Sequence, residues 1–473
     1  MLGVLALMLV LIVSGMGGAS AETYVDTTNQ VSGVWSEVDS PYIVNNTIYV
    51  EANKTLTIGA GVTVQFASGA GLVVNGTLIV KGNATHMAVF DSVPVVDGHE
   101  ARWRGLTFNE GSVGCIDYAL INNTAGAIDA VDCVLTITNS KILDSAVGLP
   151  IGAVFTKGGS LTIDDCELEA NLWYGRMIEI TLRASADNNN TNVTNVNITI
   201  TGNHISSTGA SHMLFLEEYV NAEDNATATI AGDVLICGNT FNAFVRSADY
   251  ICVDVDIVAK DNGTAQVCGD LIVENNKMLG ESGNNAFSLE YYVSASEDNS
   301  TAQIVGDVRF CDNYIESVNN GPRIALDVGA EGYGKAMVDM DFCMCSNVFV
   351  DSESPFYFTV DVYAENFAKA SFFGDISVMD NEVEHAEHGI VYFDIFVDAY
   401  NEAAIDFSMP VTVSGNDVGY VSSDLVEWDV KIYARNEAML DISIPFIICG
   451  NCVDYVDDDF VDPDVEIYAH NEA

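Results

Sequence analysis

The sequence predicts an all-β solenoid, because one short pattern recurs along most of the chain at a regular period. The pattern places apolar residues at its first, third and eighth positions and Asn at its sixth, as in Val234 to Phe241. Successive copies of this Asn are 34 to 37 residues apart, which is typical of stacked repeats that bury their apolar faces against one another. The Asn residues are Asn203, Asn239, Asn276, Asn313, Asn347, Asn381, Asn416 and Asn451.

The repeat unit is predicted to be β rather than helical. Apolar and polar residues alternate, which places the apolar ones on one face of a strand, whereas helical repeats need a period of about 3.6 residues. The Asn interrupts this alternation and is predicted to lie at a bend, in the left-handed backbone conformation. In stacked coils these structural turn residues are expected to hydrogen bond to one another and to the backbone.

Two coil lengths are expected. Residues 22–110 are predicted to form an N-terminal cap and short entry coils, and residues 111–473 the main solenoid. The early coils have roughly 21–26 residues, and from about residue 145 they lengthen to roughly 35. A second long strand and a second turn supply the added length, as in Val360 to Asn366. Gly332 replaces Asn at this second turn one coil earlier, as a position with positive φ would allow.

The entry region carries a more specific signature. Its segments Pro41-Tyr42, Thr55 to Ile58, Gly61 to Phe66, Gly76 to Leu78 and Trp103 to Gly105 resemble the opening of right-handed parallel β-helix repeat proteins of archaeal and bacterial cell surfaces. The later Asn repeats resemble the same pectate-lyase-like superfamily, and the two patterns together cover nearly all of residues 35–473. The resemblance implies a right-handed parallel β-helix. The superfamily also contains polysaccharide enzymes, so the resemblance alone leaves the activity open.

The charge of the chain restricts its partners. The sequence has 17 Lys and Arg against 68 Asp and Glu, a net charge of −51. Such a chain repels nucleic acid and anionic membrane surfaces. The partners expected instead are cell-surface polysaccharide or neighbouring surface proteins.

The two ends of the chain suggest a location and an assembly. Residues 1–21 indicate a secretory signal, with an apolar segment from Leu2 to Val13 and the small-residue site Ala19-Ser20-Ala21. No later stretch is long and apolar enough to span a membrane. The chain stops at Ala473 in mid-coil, whereas the equivalent Ala438 is followed by another strand. We expect a truncated C-terminal part; the alternative is a true end that associates end to end through its open coil.

Sequons and cysteines give two further expectations. Glycosylation is predicted at Asn225, Asn262 and Asn299, although turns rich in Asn and Thr also generate sequons by chance. The eleven cysteines leave at least one without an intramolecular partner. Cys311 and Cys345 could pair between neighbouring coils, but buried free thiols are favoured. All eleven sequons begin at Asn45, Asn53, Asn75, Asn83, Asn122, Asn189, Asn192, Asn197, Asn225, Asn262 and Asn299.

A column of aspartates is the candidate metal site. An Asp occurs six residues before the Asn in five successive coils, and stacked carboxylates of this kind could bind calcium. The competing interpretation is that each Asp caps a turn with its own side chain. A second set, Asp394, Asp429 and Asp464, repeats at 35 residues on the other strand. The first column consists of Asp233, Asp270, Asp307, Asp341 and Asp375.

No catalytic residue is predicted. Pectate lyases combine Asp-bound calcium with a basic residue, and no Arg of the long coils is expected to share a register with an acid cluster. Glycoside hydrolysis needs only two carboxylates at a suitable separation, which 68 acidic residues leave open. Glu384 to His388 is interpreted as a solvated turn rather than a metal site, and Cys449 and Cys452 as structural. The Arg residues considered are Arg176, Arg183, Arg246, Arg309, Arg323 and Arg435.

The sequence therefore favours a secreted or surface-displayed structural or adhesive β-helix without catalysis, with calcium as the one ligand to test. The first alternative is a polysaccharide lyase or hydrolase, and the second is a non-catalytic carbohydrate-binding protein. A groove with converging acids and a basic residue would favour the enzyme. Exposed aromatic side chains would favour the binding protein. Smooth, acidic, glycosylated faces would favour the structural or adhesive β-helix, a rod-like protein.

Overall fold

The computed structural model confirms an all-β parallel solenoid. It describes residues 22–25, 30–94, 102–143, 149–170, 175–243, 249–280, 285–316, 320–350, 352 and 355–470. Within these residues the only helical element is a single 3₁₀ turn at Glu37–Asp39. None of the described residues forms a helix long and apolar enough to cross a membrane. The predicted signal at 1–21 lies outside the described residues.

Each long coil visits four parallel sheets in a fixed order. One coil runs from Val234–Cys237 in sheet C to Thr240–Ala243 in sheet A, Asp249–Lys260 in sheet B and Thr264–Cys268 in sheet D. The chain then returns to sheet C at Leu271–Glu274. Every strand pairs in parallel with its equivalents in the neighbouring coils, as expected when repeats of similar length stack.

Sheets A and B run the length of the solenoid. Among the described residues, sheet A has 15 strands and sheet B has 14. The strands of sheet A are Thr23–Val25, Tyr42–Val44, Thr63–Phe66, Ala88–Ser92, Ala119–Asn122, Lys141–Leu143, Glu167–Ala170, His204–Ser207, Thr240–Ala243, Lys277–Gly280, Tyr314–Glu316, Val348–Val350, Glu382–Ala386, Asp417–Val421 and Cys452–Val456. The strands of sheet B are Ile48–Val50, Leu72–Val74, Leu106–Phe108, Ile128–Val131, Ile151–Phe155, Arg176–Ala186, His212–Ala222, Asp249–Lys260, Asn285–Ser296, Asn320–Glu331, Phe356–Glu365, Val391–Tyr400, Val426–Arg435 and Val461–His470.

Sheets C and D divide at the long strand Thr191–Thr201. Its first half pairs with Thr227–Ala231 and its second half with Val234–Cys237. The strands of sheet C are Gly33–Trp35, Thr55–Gly59, Thr77–Lys81, Val113–Asp117, Val134–Thr138, Gly159–Asp164, Thr191–Thr201, Val234–Cys237, Leu271–Glu274, Val308–Cys311, Phe342–Cys345, Ile376–Met379, Val411–Ser414 and Phe446–Cys449. Sheet D continues from Thr191–Thr201 with Thr227–Ala231, Thr264–Cys268, Thr301–Val305, Lys335–Asp339, Lys369–Phe373, Ala404–Ser408 and Met439–Ser443.

The coils lengthen where sheet D begins. In sheet A, Leu120 pairs with Lys141 and Lys141 with Glu167, steps of 21 and 26 residues. Glu167 then pairs with His204, a step of 37 residues. The increase coincides with the change of sheet B strands from 5 residues at Ile151–Phe155 to 11 at Arg176–Ala186. The predicted change of coil length is therefore confirmed, with its cause in sheets B and D.

One continuous apolar core fills the interior. Inward side chains alternate with outward ones along each strand and are almost fully buried. Aromatic rings stack along the axis, as between Phe358 and Phe393, whose centroids are 5.2 Å apart. Trp428, the next residue of that column, packs on Phe446 with a centroid separation of 3.8 Å. Because the core consists of in-register columns, the outward side chains are also arranged in columns.

Candidate functional site

The predicted turn Asn residues form one column at the turn from sheet C to sheet A. In a representative step, the backbone N–H and side-chain Nδ2 of Asn276 donate to the Oδ1 of Asn313 at 2.9 and 3.1 Å. The same Nδ2 donates to the carbonyl of Ile236 at 2.9 Å. These three bonds recur at each step from Asn203 to Asn416, whose acceptor is Asn451. The column is a hydrogen-bond ladder with a structural role, and Asn203 to Asn416 are buried.

The left-handed conformation at this turn belongs to the residue before the Asn. The expectation that the Asn itself adopts it is therefore wrong. The preceding residue carries a φ between 54° and 69°, which frees the Asn backbone to begin the next strand and its side chain to point inward. Gly, Asn, Asp or Ser occupies this position, since these residues tolerate positive φ best. The residues are Gly202, Gly238, Asn275, Asp312, Ser346, Asp380, Gly415 and Gly450.

The candidate metal column lies at the turn from sheet D to sheet C. The Oδ1 of Asp233 accepts the backbone N–H of Asp270 at 3.1 Å, and the Oδ1 of Asp270 accepts that of Asp307 at 3.0 Å. The ladder continues to Asp341 and Asp375 at 3.4 and 2.8 Å. The first four carboxylates thus cap the next coil rather than their own turn, whereas Asp375 faces Pro410, which has no N–H to donate. Asn197 occupies the same place one coil earlier, and its Oδ1 accepts the N–H of Asp233 at 3.2 Å.

A cleft beside this column contains a basic residue and sulfur atoms. Asp307, Asp341 and Asp375 line a cleft of about 360 Å³ together with Arg309 and Glu274. Arg309 lies two residues after Asp307 on the same outer face and so adjoins these acids, although its in-register partners are Ile272 and Cys343 rather than acids.

Three cysteines meet in the same cleft. Cys311 and Cys345 are in register on adjacent strands and form a disulfide, so the preference for free thiols at these positions is wrong. The Sγ of Cys343 lies 3.4 Å from that of Cys345 and 3.8 Å from that of Cys311. Cys449 and Cys452 are exposed and unpaired with each other in the described part of the chain.

A second acidic groove lies on the outer face of sheet B. It has a volume of about 360 Å³ and adjoins Tyr292, which is exposed. Arg183 stands at its edge, with Nη2 3.4 Å from the Oε2 of Glu217. The column of Asp394, Asp429 and Asp464 also passes through this groove. In the preceding coils its in-register positions are Glu290, Ala325 and Thr359, and all three line the groove. The carboxylates of the groove are Glu217, Asp254, Asp256, Glu290, Asp327 and Asp361.

Burial perturbs several of these carboxylates. It raises the pKa of Asp254, Asp256 and Asp327, because a desolvated carboxylate is harder to ionise. Asp361 and Asp394 have pKa values raised first by burial and then by neighbouring acids. Perturbed acids in a groove are a feature of catalytic sites and also of structural networks of charged groups. The raised pKa values favour retention of protons by the carboxyl groups of this groove.

The run from Glu384 to His388 differs from its interpretation as a turn. Its first three residues complete the sheet A strand Glu382–Ala386. The ring of His385 stacks on Tyr420 at 5.2 Å, and Glu384 and His388 are exposed. The stacking gives His385 a packing role.

The three predicted glycosylation sites occupy one position in successive coils, and Asn189 holds the same position one coil earlier. Asn225, Asn262 and Asn299 are exposed at the turn from sheet B to sheet D, with φ of 61°, 62° and 46°. Asn225 donates its N–H to the carbonyl of Asp261, and Asn262 to that of Asp298. At this turn the left-handed conformation does fall on Asn, and on Gly332 with φ 67°.

Sequence reasoning did not find one buried acid. Glu218 points into the core from the sheet B strand His212–Ala222. Val255 and Tyr291 occupy the in-register positions in the next two coils. Burial raises the pKa of Glu218 to about 7. The signal was present in the alternation, since Glu218 lies between Leu216 and Val220, both of which are inward.

No family model matches the chain, and no curated protein matches it either.

Proposed function

We propose that this chain is a secreted or surface-displayed structural or adhesive rod. The observation that carries the proposal is the buried Asn ladder, which bonds each long coil to the next along the axis. A solenoid whose neighbouring repeats are joined in this way resists bending and local opening, because stability accumulates through nearest-neighbour contacts. Its outer faces repeat acidic columns from coil to coil.

The sequons support an extracellular location. Asn225, Asn262 and Asn299 lie where a glycan would project into solvent. Equivalent residues in neighbouring coils are roughly 4.8 Å apart, which is too close for three bulky glycans side by side. Expression through a glycosylating secretory pathway should therefore yield a chain that begins after residue 21 and carries glycans on at most two of these three sites. Intact-mass and glycopeptide analysis measure both. An unprocessed N-terminus and unmodified sequons would contradict the location.

Calcium is the proposed ligand of the aspartate column. The Oδ1 atoms of Asp233, Asp270, Asp307 and Asp341 already accept a backbone N–H, which leaves the Oδ2 atoms of successive coils for a cation. Oxygen ligands are those that calcium prefers.

A second candidate function rests on the groove of sheet B. Six carboxylates, an exposed tyrosine and Arg183 at the edge are the features that a polysaccharide enzyme or a carbohydrate-binding protein would use. Two carboxylates with different environments can act as acid and base in glycoside hydrolysis.

One experiment separates the candidates. The purified protein is incubated with neutral and acidic polysaccharides, and both retention and new reducing or unsaturated ends are measured. If the protein is a structural rod, we expect no turnover of any polysaccharide. Its acidic faces should retain acidic polymers only weakly unless cations bridge the protein and the polymer. Turnover that is lost in Asp254→Asn or Asp327→Asn but kept in Asp375→Asn would establish the enzyme instead. Retention without turnover, lost in the same two variants, would establish the carbohydrate-binding protein.

A further inference from the structure

Three potential metal ligands converge on the outer face of sheet B, at the start of its long strands. His212 and Asp249 are in-register neighbours, and the His212 Nε2 lies 3.6 Å from the Asp249 Oδ2. The Sγ of Cys252 lies within 4.8 Å of a ligand atom on each of them. Imidazole, carboxylate and thiolate are the three side-chain groups that bind zinc in proteins.

An interruption of the strand alternation produces this convergence. Asp249 and Cys252 are three residues apart and would face opposite sides of a regular strand. Instead, all four residues from Tyr250 to Val253, which lie between Asp249 and Asp254, are buried. The equivalent Met213 to Leu216 are buried as well, and the pairing of the two strands omits Met213 and Tyr250. Such irregularities re-aim side chains and recur next to functional sites.

Outer partners orient each of the three ligands. The Nδ1 of His212 lies 3.1 Å from the Oγ of Ser211, which leaves Nε2 directed at Asp249. The Oδ1 of Asp249 accepts the backbone N–H of Asn285 at 3.1 Å, which leaves its Oδ2 as the oxygen that can bind a metal ion. The Sγ of Cys252 lies 3.6 Å from the Oδ1 of Asp254. Metal ligands in proteins are usually held by such second contacts.

Two arginines lie near the cluster. The guanidinium of Arg176 is engaged elsewhere, 3.3 Å from the Phe215 ring and 2.8 Å from Glu179. Arg323 stands two coils after Cys252 in the same column, with Ser288 between them, and its positive charge acts on Asp249. The ligand atoms of His212, Asp249 and Cys252 lie within 4.8 Å of one another.

We propose that His212, Asp249 and Cys252 bind a zinc-type divalent cation through Nε2, Oδ2 and Sγ, with water in the fourth position. Zinc bond lengths of about 2.0–2.3 Å place tetrahedral ligand atoms about 3.3–3.6 Å apart, which agrees with the 3.6 Å between Nε2 and Oδ2. On binding, the Cys252 thiol releases its proton to solvent. The dication is then neutralised by one thiolate and one carboxylate. Three protein ligands and a water are the arrangement of open zinc sites rather than closed structural ones.

Cobalt(II) is the probe that tests this site, because a thiolate–cobalt bond absorbs in the near ultraviolet whereas carboxylate–cobalt binding does not. The full chain is stripped with a chelator and titrated with Co²⁺ in excess Mg²⁺, which occupies exposed carboxylates. We expect one equivalent to give the thiolate band and tetrahedral visible absorption, both removed by Zn²⁺. Cys252→Ser should abolish the band, and His212→Ala should weaken binding by about tenfold or more. Ser211→Ala should weaken it by about tenfold to a hundredfold.

Matched variants exclude other thiols and imidazoles. Cys268→Ser changes a half-buried thiol of the same coil, and His204→Ala removes an exposed imidazole; both should bind as the parent chain does. Cys343→Ser tests the cleft of sheet C. Loss of the band in Cys343→Ser but not in Cys252→Ser would overturn the proposal, and so would the absence of a band in the parent chain. X-ray absorption of the zinc-loaded parent chain gives a test without mutation: one sulfur at about 2.3 Å and nitrogen or oxygen at about 2.0–2.2 Å are expected.

Discussion

The side-chain amide of a turn Asn links its own coil to the coil before it and the coil after it. For Asn313, the Oδ1 accepts from the N–H and the Nδ2 of Asn276. Its Nδ2 donates to the carbonyl of Val273 and to the Oδ1 of Asn347. No other side chain of similar size offers one acceptor and two donors in this geometry. The position is therefore more restricted than a turn position usually is.

Asn313→Leu should strongly destabilise the solenoid. The substitution keeps the approximate volume but removes the acceptor of the Asn276 backbone N–H and the side-chain donor to the Val273 carbonyl and the Asn347 Oδ1. Each buried group left unpaired costs about 1–3 kcal/mol, whereas the Asn347 Oδ1 keeps the backbone N–H of residue 313. Denaturant unfolding measures the change. The matched control is Asn401→Gly in the more exposed ladder of the second turn, where φ is 56° and Gly adopts it without strain. Equal losses in the two variants would contradict the special role of the buried ladder.

Glu218 is a residue whose burial in the core favours the protonated form of its carboxyl group. It lies beside a small internal cavity of about 20 Å³ that Tyr291 and Gly269 also line. Its pKa is raised from 4.5 to about 7 by burial. Between these two values the folded state keeps a proton that the unfolded state has lost, so the free energy of unfolding falls as pH rises.

Glu218→Gln should remove this pH dependence. The free energy of unfolding of the parent chain is expected to fall by about 3 kcal/mol between pH 4.5 and pH 7 because of this group alone. The Gln variant should show none of this fall, because its amide does not titrate. The variant should therefore be more stable than the parent chain above pH 7. Glu217→Gln, one residue away on the outer face, is the control and should follow the parent curve. Parallel curves for the parent chain and Glu218→Gln would show that burial does not perturb this carboxyl group.

At the scale of strands and turns, the aspartate ladder combines backbone capping with a row of like charges. Each step of about 4.8 Å brings two carboxylates close together, and facing like charges destabilise a sheet. Asn197 heads the ladder and makes the same hydrogen bond without the charge. The hydrogen bond and the charge can therefore be separated by substitution.

The double variant Asp270→Asn and Asp307→Asn should keep the caps and lose the response to calcium. If calcium binds the column, it raises the melting temperature of the parent chain, because a ligand held only by the folded state stabilises that state. Thermal unfolding is measured with and without millimolar CaCl₂ at constant ionic strength. The control is Asp394→Asn and Asp429→Asn on sheet B, which should retain the calcium response. If both double variants respond as the parent chain does, calcium acts through general screening.

The strands and their order could be predicted from the period because repeats of equal length must stack in register. The partners of individual side chains could not, because they depend on how neighbouring coils meet. Two residues before the Asn, Cys311 and Cys345 lie on the outer face, where Cys311 is nevertheless buried and Cys345 is half-buried. Arg309 and Asp341 are far apart in sequence and share a cleft only through the pairing of two coils. The cluster of His212, Asp249 and Cys252 further requires an interrupted alternation, which the sequence pattern does not reveal.

At the scale of the whole molecule, one narrow core is surrounded by outward columns that carry most of the charge. The chain has 68 acidic and 17 basic residues. In the last coils Arg435 pairs with Asp398 and Lys431 with Asp429. The remaining acids repel one another along the axis and oppose folding through this repulsion.

Added salt should therefore stabilise the solenoid over an unusually wide range of salt concentrations. The Debye length is about 10 Å at 0.1 M and about 3 Å at 1 M, whereas successive coils are about 4.8 Å apart. Repulsion between neighbouring coils is thus screened well only near 1 M, and the melting temperature should continue to rise between 0.1 and 1 M NaCl. Sucrose at equal osmolality is the control for effects that do not involve charge. A variant in which Asp254, Asp327 and Asp361 become Asn should have a higher melting temperature at low salt and a smaller rise. A melting temperature that is constant above 0.2 M, or an equal rise in that variant, would mean that repulsion between coils does not limit the stability of the rod.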